Sequence, residues 1–72
     1  MNGMIEIFKT NVSTSSQAAS LVIFLLHHLP GYRINVDLHD CDKVLRIEGG
    51  PFAPSNIMML VRNYGFACTA LE

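Results

Sequence analysis

The stretch Tyr32-Arg33-Ile34-Asn35-Val36-Asp37-Leu38 alternates without a fault. Tyr32, Ile34, Val36 and Leu38 fall on one side, Arg33, Asn35 and Asp37 on the other. A period of two with one apolar side is a strand that packs one face on a core and leaves the other in water. His39-Asp40-Cys41-Asp42 then reads as a turn, because Asp side chains readily bond to nearby backbone. Lys43-Val44-Leu45-Arg46-Ile47-Glu48 returns as a second strand with Leu45 and Ile47 inward. Pro30-Gly31 breaks the chain before this hairpin and Gly49-Gly50-Pro51 breaks it after,. Whatever flanks the hairpin must therefore cover its apolar face.

The flanks have the right periods to do so. Met4 to Lys9 reads as a strand whose alternation is set by Ile5 and Ile7. Thr10 to Ser16 is a polar loop in which Ser13, Thr14 or Ser15 can cap a helix. That helix runs to about Leu29, with Ala18, Leu21, Val22, Leu25 and Leu29 as its sheet-facing stripe. Pro54 suits the first turn of a second helix. Ile57, Leu60, Val61 and Tyr64 form its stripe, and Gly65 ends it. Phe66 to Leu71 is a last short strand. The order strand-helix-strand-strand-helix-strand predicts an α+β, ferredoxin-like βαββαβ domain spanning residues 1–72. In it a four-stranded antiparallel sheet carries both helices on one face, as right-handed crossovers.

Size and charge bound the function. A 72-residue chain makes one domain, and such a chain buries only roughly 60% of its unfolded surface. A net charge of −1, with five Lys and Arg spread along the chain, predicts no nucleic-acid partner, which would call for a basic patch. The apolar run Ala18–Leu29 is shorter than the about 20 residues of a membrane span. The start Met1-Asn2-Gly3-Met4 lacks a signal peptide's basic region,, and on that reading two cysteines predict a cytoplasmic protein with reduced thiols.

With this order in place, a resemblance emerges. Phe8-Lys9-Thr10-Asn11-Val12 leads into the first helix, Val36-Asp37 follows, then Asp42-Lys43-Val44-Leu45-Arg46-Ile47-Glu48-Gly49, and finally Tyr64-Gly65-Phe66. On these pieces the chain, from about Ile5 to Leu71, resembles the heavy-metal-associated domain family of copper chaperones and metal-pump amino-terminal domains. The resemblance implies a CxxC motif after the first strand, whose thiolates bind Cu(I) or Zn. Aligned by the flanks, the two cysteines fall on Thr14 and Gln17. Copper(I) wants thiolate or thioether, and these two residues offer neutral oxygen. The expectation is a degenerate member with no metal at Thr14 and Gln17 and no cofactor.

Other donors are few. His39 and Cys41 share the hairpin and make a weak alternative copper or zinc site, two ligands where zinc usually takes four. His27 and His28 are adjacent on a helix and point about 100° apart; their place near its negative end is explained by the helix dipole. Cys68 reads as a small buried apolar residue. There is no phosphate loop, HExxH or nucleophile–base–acid set, so no enzyme is expected.

The second signal is an apolar surplus. Half the residues are hydrophobic and 15% charged, below the roughly 25–35% charge of a typical small-domain surface. Ala19, Ile23 and Leu26 fall on one flank of the first helix and Phe24 on the other, while Met58 and Met59 fall outside the stripe of the second. These residues, Ala19, Ile23, Leu26, Met58 and Met59, predict an interface on the helical face, to a second copy or another protein. The functional expectation is a protein-interaction or assembly module. The alternatives are soft-metal trafficking through a relocated or intermolecular site, and a small-ligand regulatory domain of the ACT type, which shares the strand order.

Overall fold

The computed structural model describes residues 3–71. Six elements follow one another: β1 (Met4–Thr10), α1 (Ser15–His28), β2 (Arg33–Asp37), β3 (Val44–Gly49), α2 (Pro54–Tyr64) and β4 (Cys68–Ala70). The strands form one antiparallel sheet in the order β2-β3-β1-β4. The fold is thus α+β, with four strands and two helices. β1 lies in the interior of the sheet, so the chain's first strand is held on both sides.

α1 packs on β2, α2 on β4, and the helices touch each other. Their shared core contains Phe8, Leu45, Ile47 and Cys68 from the sheet, Leu21 and Leu25 from α1, Ile57 and Val61 from α2, and Val12 from the loop after β1. The helix faces follow from spacing: Leu21 and Leu25 are four apart, as are Ile57 and Val61, and each pair is buried,. α2 ends at Gly65, whose φ of 125° is open to glycine and strained for other residues. Gly49 is required for a different reason. A Cβ there would lie 2.4 Å from the Tyr32 ring, so the ring packs directly on the strand backbone.

The phase of one strand is decided by the tertiary structure. In β1 the core side is taken by Phe8 and Thr10, both buried, while Ile5 and Ile7 stand on the uncovered face. Ile7 is opposite Arg46 and Ile5 opposite Glu48. The adjacency of Ile7 and Phe8 makes the strand readable in either phase. The choice is made by Phe8, opposite Leu45 in the core, and by Thr10. The Thr10 hydroxyl donates to Lys43 O at 2.6 Å and accepts from Val12 N–H at 3.2 Å. Turning β1 over by one residue would break both bonds and expose the phenyl ring.

Candidate functional site

Two places carry the candidate residues. The first is the end of the sheet where β1 passes into α1. There Thr14 is the N-cap of α1 and Gln17 is the third residue of the helix. Thr14 Oγ1 accepts from Gln17 N–H at 3.1 Å. Gln17 Oε1 reaches back and accepts from Ser13 N–H and the Ser13 hydroxyl, both at 2.9 Å, and from Thr14 N–H at 3.3 Å. This is a reciprocal capping box, which satisfies donors that a helix start leaves without partners. Thr14 and Gln17 thus hold side chains that bond to each other's backbone. Of the three possible caps, Thr14 is the one used.

The loop is anchored on both sides. Val12 is fully buried. Asn11 Oδ1 accepts from Ala67 N–H at 2.8 Å, tying the loop to the segment before β4, and Thr10 N–H donates to Asp42 O at 3.0 Å. Thr10 and Asn11 escaped the sequence reading as anchors. Their signal was a pair of short polar side chains at the end of an apolar strand, where backbone groups need partners.

The hairpin between β2 and β3 closes the same end. The donor atoms it gathers belong to Asp40, Cys41 and Asp42, all within 4.8 Å of one another. His39 is not in that group; in the turn its backbone N–H donates to Asp37 Oδ1 at 3.0 Å. Asp40 Oδ1 accepts from Asp42 N–H at 2.8 Å, and Lys9 lies 3.8 Å from Asp42. The carboxylates thus have local roles in the turn. Cys41 is exposed, whereas Cys68 is buried and its thiol is pushed up to about 11 by desolvation, against a weaker opposing pull from Arg62,.

The second place is the cleft between the helices. Phe24 of α1 stacks on Tyr64 of α2 with ring centroids 4.6 Å apart. His28 meets the Phe24 edge at 4.9 Å, and Phe66 continues the row beyond Tyr64 at 6.0 Å. Along this row runs an open groove of about 470 Å³, walled by Ile23, Phe24, His27, His28 and Tyr64 with Ser20 at its rim. A second hollow of about 400 Å³ continues past His28 to Tyr32, Phe52, Met59 and Leu60. Ile23 and Met59 are more than half exposed, at 59% and 55%.

The expected interface residues therefore separate. Ile23 and Met59 wall the cleft. Leu26 and Ala19 are exposed but wall neither hollow. Met58 is half-buried and packs against the core, unlike the exposed Met59. Tyr64, expected in the core stripe, is 40% exposed and is held by Phe24 instead. His27 and His28, read from sequence as dipole partners, also stand in the cleft wall. Among the described residues no helix is long and apolar enough to cross a membrane. No family model matches the chain, and no curated protein or solved structure matches it at a significant level.

Proposed function

We propose that the chain is a non-catalytic, ferredoxin-like domain of heavy-metal-associated type that has lost its metal ligands. It serves in the cytoplasm as a protein-interaction or assembly module through its helical face. The observation that carries this reading is the cleft wall: large apolar side chains at Ile23 and Met59, more than half exposed, beside an ordered aromatic row. An ordinary solvent face would place Lys, Glu or Gln there. Leaving such side chains wet forgoes roughly 1.5–3 kcal/mol apiece that a partner surface can recover. The capping box supports the loss of metal chemistry, since Thr14 and Gln17 already have backbone partners.

The test has two arms. The reduced protein is titrated with Cu(I) and with Zn(II) against a competing chelator; tight binding that Cys41→Ser abolishes would overturn the loss of metal function. In cells, a photoreactive residue in place of Met59 should capture one discrete polypeptide, and Ile23→Lys should remove the adduct. Illumination that yields no discrete adduct sinks the interaction reading.

A further inference from the structure

β2 is an edge strand, hydrogen-bonded on one side only, to β3. All five of its residues keep a continuous register with β3, from Arg33 opposite Glu48 to Asp37 opposite Val44. Among the described residues, no loop or side chain bonds to its outer backbone groups. The opposite edge is treated differently: β4 has three residues, and Arg62 Nη2 donates to Cys68 O at 2.8 Å. Native sheets blunt their edges by shortness, proline, bulges, covering segments or charged side chains. β4 is short and takes a bond from Arg62; β2 has no proline, bulge or bonded cover, and its two charges, Arg33 and Asp37, are of opposite sign.

The sequence of β2, Arg33-Ile34-Asn35-Val36-Asp37, is its own antiparallel complement. Placed beside a copy related by a two-fold axis through Asn35, Arg33 lies opposite the copy's Asp37 and Asp37 opposite the copy's Arg33. Ile34 lies opposite Val36, and Asn35 opposite itself. Residues directly opposite share a face. The charged pairs then lie on the uncovered face and the apolar pairs lie beneath the helices. Neither charge has another ion-pair partner within the described residues; Asp37 Oδ1 accepts from His39 N–H, leaving Oδ2. A slip by one residue would put every side chain on the wrong face, and a parallel pairing in the same register would set Arg33 against Arg33. α1 packs on β2. At 100° per residue, Leu26 projects 200° around the helix from Phe24, which faces α2, and so points away from α2 toward this edge. Ala19 points the same way. Their exposure, which the cleft leaves unexplained, is accounted for by the same pairing.

We infer that β2 is a homodimer edge: two copies of this chain pair antiparallel through Arg33–Asp37, joining their sheets into one of eight strands, with the Leu26 and Ala19 flanks of the two α1 helices alongside. This surface is distinct from the cleft between the helices and stands independently of it.

Sedimentation over a concentration series, with circular dichroism to verify folding, tests the inference by charge exchange. Wild-type protein should dimerise. Arg33→Asp replaces both symmetry-related attractions by repulsions and should weaken dimerisation by about tenfold or more; Asp37→Arg should do the same. The combined Arg33→Asp/Asp37→Arg protein restores both pairs in reversed sense and should dimerise within about threefold of wild type. Affinity lost through damage to the fold in a single variant would not be restored by adding the second change. A wild-type monomer at millimolar concentration overturns the inference. So does a dimer that both single variants leave intact, or a double variant no better than the singles. Ile23→Lys should leave this dimer unchanged, so failure of the edge and failure of the cleft are read separately.

Discussion

Replacing Thr14 and Gln17 together by cysteine tests what the first loop has become. In the reduced, metal-free protein the exchange removes the hydroxyl that accepts from Gln17 N–H at 3.1 Å and the amide oxygen that accepts from Ser13 N–H at 2.9 Å. Sulfur is a weak acceptor and replaces neither. Loss of an N-cap costs about 1 kcal/mol, and the box adds a second satisfied donor. Because the site is solvent-exposed, water recovers part of this, and the total loss should be about 1–2 kcal/mol. For a domain of this size that is roughly 5–15 °C in Tm. The two new thiols stand at the N-cap and third position of one helix turn, on side chains that already converge, and the helix start favours their thiolates. With Cu(I) buffered at about a thousandfold over Kd, binding should return about 4 kcal/mol, more than was lost. Chelator competition and thermal melts with and without metal are the assays. An apo variant as stable as wild type would refute the role of the capping box. A folded variant that takes up no Cu(I) would refute the alignment of this loop with a metal-binding one.

Three further outcomes follow from packing. Met59→Lys should change stability by no more than about 0.5 kcal/mol, whereas Met58→Lys should cost at least about 1 kcal/mol, because only Met58 packs on the core,; urea melts of the pair decide it. Gly49→Ala drives a Cβ into the base of the Tyr32 ring and should cost about 1–3 kcal/mol, with the Tyr32 hydroxyl losing its bond to Pro51 O; equal melting curves would show the ring free to move aside. In the native protein a disulfide reagent should modify Cys41 rapidly and Cys68 only upon unfolding,. As the Cys68 thiol is raised to about 11 in the fold, it stays neutral while its unfolded counterpart ionises. Its linked contribution is therefore intact below the ordinary thiol range and declines as pH rises from there to about 11; Cys68→Ala should flatten that part of the pH–stability curve.

Much of this architecture was legible because periods of two and 3.6 do not imitate each other over seven or more residues. Tyr32–Leu38 could only be a half-buried strand, and Leu21 with Leu25, or Ile57 with Val61, could only share a helix face. What stayed open lies where local pattern supports two answers. Ile5 and Ile7 are better strand formers than Met4 and Glu6, yet Phe8 and Thr10 decide the phase, through contacts with Leu45 and Lys43 that lie more than thirty positions away. Met58 and Met59 are both off the α2 stripe, and which one meets the core depends on the sheet lying under only one of them. Likewise, His27 and His28 enter the cleft because α2 arrives beside them. Nothing in their own helix turn encodes that arrival.

The same contrast separates the two surfaces of the molecule. At the first loop, local chemistry suffices: a hydroxyl and an amide three residues apart close a capping box whatever else the chain does. The loop therefore holds its shape with no outside partner, because these bonds are made within four residues. The exposed apolar groups at Ile23, Leu26 and Met59 have no such local remedy. α1 has one flank toward α2 and one toward the β2 edge, and each leaves large side chains in water. One partner surface cannot cover both flanks without spanning the whole helix. Two contacts are therefore expected of this small domain: one at the cleft, where Ile23 and Met59 face outward, and one at the edge, where Arg33 and Asp37 supply the register that greasy contact alone would lack.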